Sequence, residues 1–169
     1  MTVVIIIILA LAALAVTVFF TVRWLRRLRS EAIAFLHGRT REEKVYHVED
    51  CNFFGLLSAG YAQMRGNGVL ALTDRGIHFR MLTPAKYVFV SLDSITGVSQ
   101  PRSFLGKTKA KVLLRVDFTG GAGEDDAGAW LVRSLDWWTE ALEALRSGVE
   151  PPPAPWKRKG PHIRRQTLE

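Results

Sequence analysis

Few residues in this 169-residue chain stand at the spacings that chemistry requires. His47 and Cys51 are four apart, which brings two ligands to one metal only on a helix, and no second pair completes a tetrahedral site. No glycine precedes Ser58 as a G-x-S-x-G nucleophile elbow demands, and no G-x-x-x-x-G-K run exists to cradle a phosphate. Gly120, Gly121 and Gly123 lack the strand-to-helix context of a dinucleotide site. Glu124-Asp125-Asp126 carries charge enough for a cation, but in a Gly-rich stretch it reads as a solvated hairpin tip. The expectation is a chain with no catalytic constellation, no metal or cofactor site and no small-molecule substrate.

Two features point instead to binding. Arg102, Lys107, Lys109 and Lys111 surround Phe104 and Leu105 in "PRSFLGKTKAK". Cations flanking exposed apolar side chains are how a peripheral site engages a membrane interface. A loop that folds its apolar pair back onto the domain fits the same residues, and both readings stand at this point. Trp137 and Trp138 are adjacent in a helical stretch, so one should pack inward and the other sit at the rim, either partly covered or touching lipid or a partner.

The elements that must position these residues begin with an apolar run. The chain is 48% hydrophobic and 23% charged, and the apolar residues are concentrated at one end. Residues 3–22 hold no charge, and their only polar members are Thr17 and Thr21. About 20 such residues, at roughly 1.5 Å each, cross the ~30 Å hydrocarbon core of a bilayer. No second window of that length exists, so the expectation is a single pass. A cleaved signal peptide places its charge before a shorter apolar stretch. Here the charge follows it: Arg23, Arg26, Arg27 and Arg29, with the interfacial Trp24 among them, form a juxtamembrane anchor. The positive-inside rule then puts the N-terminus outside the plasma (inner) membrane and the rest of the chain in the cytoplasm. The net charge of +7 divides into +3 over residues 23–49, zero over 50–150 and +4 over 151–169. A neutral central region speaks against nucleic acid as a partner, and basic flanks suit an anionic leaflet. The single cysteine, Cys51, permits no intramolecular disulfide.

Helical spacing of Trp24, Leu28, Ala32 and Phe35 extends the first helix to residue 37, with Gly38 as its C-cap and its last turns at or emerging from the headgroups. Residues 38–43 form a charged connector. The period then changes to two. Ile77, Phe79 and Met81, then Val88, Val90 and Leu92, then Val112, Leu114, Val116 and Phe118 are predicted inward-facing sets. Shorter strands are expected at 69–73, 95–98 and 130–133, with one or two more within 45–64. The segments 66–68, 74–76, 83–84, 93–94 and 120–128 read as turns or loops. About seven short antiparallel strands make a small sandwich or barrel. A C-terminal helix capped by Ser134 or Asp136 closes it, with Leu135, Trp138, Leu142 and Leu145 on one face. Residues 148–169 are Pro-rich, basic and expected to be disordered.

Three stretches, "GNGVLALTDRGIHFRML", "YVFVSLDSITGVSQ" and "SLDWWTEALEAL", resemble the bacterial PH-like and GRAM-like domains of the pleckstrin-homology superfold over about residues 44–146. The resemblance implies a PH-like barrel over residues 44–147, capped by one helix and acting as a non-catalytic binding module. Members of that superfold bind phosphoinositides, other lipids or proteins. Those that bind lipid carry dense basic charge on the first hairpin loop; here Gly66-Asn67-Gly68 has only Arg65 nearby, and the denser cluster is at 102–111. The expected role is therefore a membrane-anchored module contacting anionic headgroups, a membrane protein, or both. The alternative is an accessory subunit whose helix packs through Ala12, Ala13 and Ala15 in a larger membrane complex.

This reading fixes a topology. A cytoplasmic reporter fused to the C-terminus should be active, and the mature chain should retain residues 3–22 by mass. A periplasmic signal from that reporter, or a shortened product, would overturn the assignment.

Overall fold

The computed structural model describes residues 2–108, 110–121 and 123–155. The uncharged run forms the first part of α1 (Thr2–Arg39), a single helix of 38 residues and the one helix among the described residues long and apolar enough to cross a membrane. Thr17 and Thr21 donate their hydroxyls to the carbonyls of Ala13 and Thr17, so both polar side chains in the run are satisfied within the helix. Gly38 is not the C-cap. It lies inside the helix, which runs to Arg39; at its end the Thr40 amide (2.8 Å) and hydroxyl (3.0 Å) both donate to the Leu36 carbonyl.

The strands are β1 (Val45–Leu56), β2 (Gly66–Thr73), β3 (Gly76–Met81), β4 (Tyr87–Ser91), β5 (Ile95–Ser99), β6 (Ser103–Phe104), β7 (Lys107–Thr108), β8 (Leu114–Thr119) and β9 (Asp125–Leu131). A 3₁₀ turn, Leu92–Ser94, joins β4 to β5, and α2 (Leu135–Arg146) follows β9. Seven strands form one antiparallel sheet in the order β4-β3-β2-β1-β9-β8-β5, while β6 and β7 make a separate two-residue hairpin. β1 is the pivot. Its residues 45–53 pair with β2 and its residues 52–56 with β9, and the register slips between Phe53 and Gly55, where Gly55 takes φ +134°. The bend lets both ends of the sheet share one core: Ile77, Phe79, Val88 and Val90 from one end join Ile95, Leu114, Val116 and Phe118 from the other. Trp138, Ala141 and Leu142 of α2 fill the remaining side.

Several boundaries differ from the periodicity. The region 45–64, expected to supply one or two short strands, supplies one, the 12-residue β1. β9 begins at Asp125, so Asp125 and Asp126 are strand residues and not a hairpin tip. There Asp126 accepts from the Ser58 amide (2.8 Å) and hydroxyl (2.7 Å), fastening the loop after β1. Val112 precedes β8 and is only half-buried, whereas its neighbour Leu113 is fully buried in a second cluster on the opposite face.

That second cluster reflects a general feature: the outer face of the sheet is also covered. Over β2 and β3 lies the end of α1, where Ala32 and Leu36 bury Val69 and Ala71, with Ile33, Phe35, Leu82 and Tyr87 around them. Over β1 and β9 lies the β6–β7 hairpin, whose Phe104 packs with Phe54, Leu113, Ala127 and Ala129. The last turns of α1 are therefore part of the domain's packing, and the expected charged connector shrinks to a short turn after Arg39.

Both tryptophans of α2 are buried, Trp138 at 0% and Trp137 at 5% exposure, so neither sits at a rim. Trp137 is covered because the chain returns over it after α2. Its indole N–H is shared between the carbonyls of Pro152 and Pro153, each at 3.1 Å, and Pro151 and Ala154 are buried alongside. Residues 151–155 are thus docked, contrary to a disordered tail starting at 148; the rest of the predicted tail, 156–169, lies outside the described residues. A chain truncated after Glu150 should be less stable than one truncated after Pro155 by about 1–2 kcal/mol, from the lost indole bond and the uncovered ring. Equal melting temperatures for the two truncations would show that the Pro segment contributes nothing.

Candidate functional site

The structure separates the residues of the basic loop. Phe104 is 5% exposed and points onto the sheet, so it is a core side chain and not a membrane-inserting one. Leu105 is half-buried at the hairpin turn, with φ +49°, against the same cluster. Arg102 and Lys111 are exposed. Lys107 is half-buried, its ammonium donating to the Gln63 carbonyl at 2.7 Å and so tying the hairpin to the β1–β2 loop. Lys109 lies outside the described residues. Of the two readings of this loop, the apolar pair folds back, because Phe54 and Leu113 supply an apolar outer face for it to cover.

The juxtamembrane residues divide similarly. Arg23 and Trp24 are exposed on α1, and Arg27 pairs with Glu31 one turn on, at 2.8 Å. Arg29 reaches across to Asp50 on β1 at 2.7 Å, and Arg133 approaches the same carboxylate at 3.4 Å. Hydrogen bonding and the charge of Asp50 raise the Arg29 pKa. Arg26 faces the same side as Arg29, toward Lys111 across a cleft.

Sequence reasoning did not find the two buried polar nodes. The first is Glu49, on the inward face of β1 between His47 and Cys51. Its Oε1 accepts from the backbone N–H groups of Arg133 and, at 3.2 Å, Ser134; its Oε2 accepts from the Trp138 indole at 3.1 Å and faces His47 Nε2 at 3.0 Å. A carboxylate only accepts, so His47 Nε2 carries the proton. The helix cap is thus supplied by a strand residue, and Ser134 makes no side-chain cap bond. Burial acts to raise the Glu49 pKa, but the bonds from His47, Arg133 and Trp138 outweigh it and hold the carboxyl below its usual range. The second node is His78 on β3. Its Nε2 donates to Glu43 at 2.9 Å and its Nδ1 accepts from the Tyr87 hydroxyl at 2.8 Å. Burial lowers the His78 pKa against the pull of Glu43, and burial also raises that of Tyr87. The chain Glu43–His78–Tyr87 pins the turn after α1 to the sheet.

Neither node offers a nucleophile. Cys51 is buried, and its thiol is pushed well above the ordinary range by burial and by Glu49 and Asp50. His47 and Cys51 lie on one extended strand, four residues and therefore about 13 Å apart, which is no distance for a shared metal. Both nodes are tertiary events, and their only sequence signal is a charged or imidazole residue at an inward position of an alternating strand.

Because the Glu49 pKa is depressed on folding, its stabilisation is present above about pH 4.5 and is lost as pH falls through the folded value. Glu49→Gln should cost about 2–3 kcal/mol near neutrality, since an amide presents donors where the site also supplies donors. The deficit should shrink in denaturation curves as the pH is taken progressively below about 4.5. An acid slope identical in both proteins would show that Glu49 is not the titrating group.

No family model matches this chain, and no curated protein matches it significantly. Among solved structures, the crystal structure of the C-terminal domain of an unknown protein from Leishmania infantum is similar, at 14% identity over 66% of this chain and 91% of that one, with a TM-score of 0.48.

Proposed function

We propose that this chain is a non-catalytic PH-like module tethered to the cytoplasmic face of the plasma (inner) membrane by α1, and that it contacts anionic lipid headgroups. Its PH-like character is supported by the antiparallel sheet β4-β3-β2-β1-β9-β8-β5, bent around one core and closed by a C-terminal helix. The tether is supported by the apolar run at residues 3–22, all exposed where described, followed by arginines.

One observation carries the reading: the same helix that holds the span is packed into the domain, so the two are joined without a linker. Near its C-terminal end, α1 lies by the Thr73 end of β2, where Lys44 donates its amide to Asp74 and Glu43 meets His78. Moving toward the span, Leu28 and Leu82 line one small cavity, and Leu25 lines a cleft with Asn67 and Gly68 at the other end of β2. The direction from Thr73 to Gly66 therefore leads toward the bilayer. The loop preceding Gly66 carries Tyr61 at 75% and Met64 at 65% exposure, with Leu57 also exposed and Arg65 and Lys107 beside it. Exposed apolar side chains edged with cations on the bilayer-facing end are the arrangement an anionic interface favours.

In the full chain reconstituted into nanodiscs, backbone amides of residues 57–65 should exchange with deuterium more slowly in anionic than in neutral lipid. Arg65→Glu with Arg102→Glu should erase the difference, and added salt should weaken it by screening. Equal exchange in both lipids would remove headgroup contact from the function and favour a protein partner.

A further inference from the structure

On the outer face of the sheet, between α1 on one side and the segment leading into β8 on the other, runs a cleft of about 800 Å³. Its walls carry four cations, Arg26, Arg29, Lys111 and Arg133, against a single carboxylate, Asp50. Asp50 is already shared between Arg29 and Arg133, which leaves Arg26 and Lys111 without an acidic partner among the described residues. The remaining walls are apolar, with Leu25, Leu82, Val112 and Leu131 in them. On the floor, the Asn52 side-chain amide donates to Asn67 at 2.8 Å, and Asn52 Oδ1 has no hydrogen-bond partner among the described residues.

From this arrangement we infer that the cleft holds one anionic lipid drawn from the leaflet beside α1, its headgroup between Arg26 and Lys111 and the start of its acyl chains against Leu25, Leu82 and Val112. The inference rests on the tether proposed above. It concerns a different surface from the exposed β1–β2 loop and a bound molecule rather than a peripheral contact. Position decides the class of ligand. Leu25 and Arg26 follow the uncharged run of α1 by three and four residues, so the cleft opens at headgroup depth when residues 3–22 lie in hydrocarbon. Charge decides its sign. A soluble anion would use the cations but leave the apolar walls wet, and a neutral lipid would leave Arg26 and Lys111 uncompensated. The chain's own tail is a poor occupant. Pro155 lies by Arg29, Asp50 and Arg133 just outside the cleft, but the sequence continues with Lys157-Arg158-Lys159, which four cations repel.

The test is native mass spectrometry of the full chain released from nanodiscs of mixed phosphatidylglycerol and phosphatidylcholine. One phosphatidylglycerol adduct should persist at collision energies that strip phosphatidylcholine. Arg26→Ala and Lys111→Ala should each lower its occupancy about fivefold, while Arg27→Ala, on the helix face paired with Glu31, should leave it unchanged. Excess inorganic phosphate should not displace it. Occupancy indifferent to Arg26 and Lys111, equal retention of the two lipids, or displacement by phosphate would each overturn the inference. So would a rise in occupancy on truncation after Pro155, which would make the tail the occupant. Loop protection in anionic nanodiscs, measured separately, tells failure of this site from failure of the proposed membrane contact.

Discussion

A carboxylate taken out of water must be given back its hydrogen bonds, and the domain is organised around meeting that demand for Glu49. Its acceptors are met by donors from β1 itself and, more than 80 residues further along the sequence, from the turn after β9 and the first turn of α2. The two backbone donors are the amides just ahead of α2, so the negative charge also lies at the positive end of that helix. Fixing Ser134 and Trp138 to β1 sets where α2 starts and which of its faces meets the core. Trp138 then enters between the two ends of the bent sheet, which are not paired with each other. A buried charge is expensive to leave half-satisfied, so a placement of α2 that lost these donors would be penalised.

The second constraint is coverage of both sheet faces. In an ordinary antiparallel domain one face is solvated, and strands alternate. Here the outer face is taken by α1 over β2 and β3 and by the β6–β7 hairpin over β1 and β9. Val69 to Thr73 are consecutively buried as a result, and His78, at an outward position of β3, is inside. Between α1 and the segment leading into β8 a strip of the outer face stays open, where Asp50, Asn52 and Leu131 lie.

These two constraints explain how far the sequence could be read. The apolar helix, the strands from β2 to β5 and the helix α2 were legible because each carries its own period. Strand ends were less so: β9 begins in a Gly- and Asp-rich stretch that reads as loop, yet Asp126 has a tertiary partner in Ser58. Alternation assumes a wet face, so it could not show that Phe104 and Leu113 would be paired on the outer side, or that α1 would be part of the packing. The burial of both tryptophans was hidden for the same kind of reason, since the cover for Trp137 comes from prolines that composition assigns to a tail. Of the expected site, Arg102 and Lys111 remain on the surface, while Phe104 belongs to the core.

The packing of α1 against β2 has a mechanical side. A domain on a flexible leash samples every orientation above its anchor, and its tether sets only a local concentration. Under the tether proposed above, the anchor is also a wall of the domain, so the azimuth of the helix in the bilayer would be the azimuth of the sheet. Any neighbour that turned or tilted the span would then swing the whole domain as a lever, changing which edge met the lipid without altering a single contact within it.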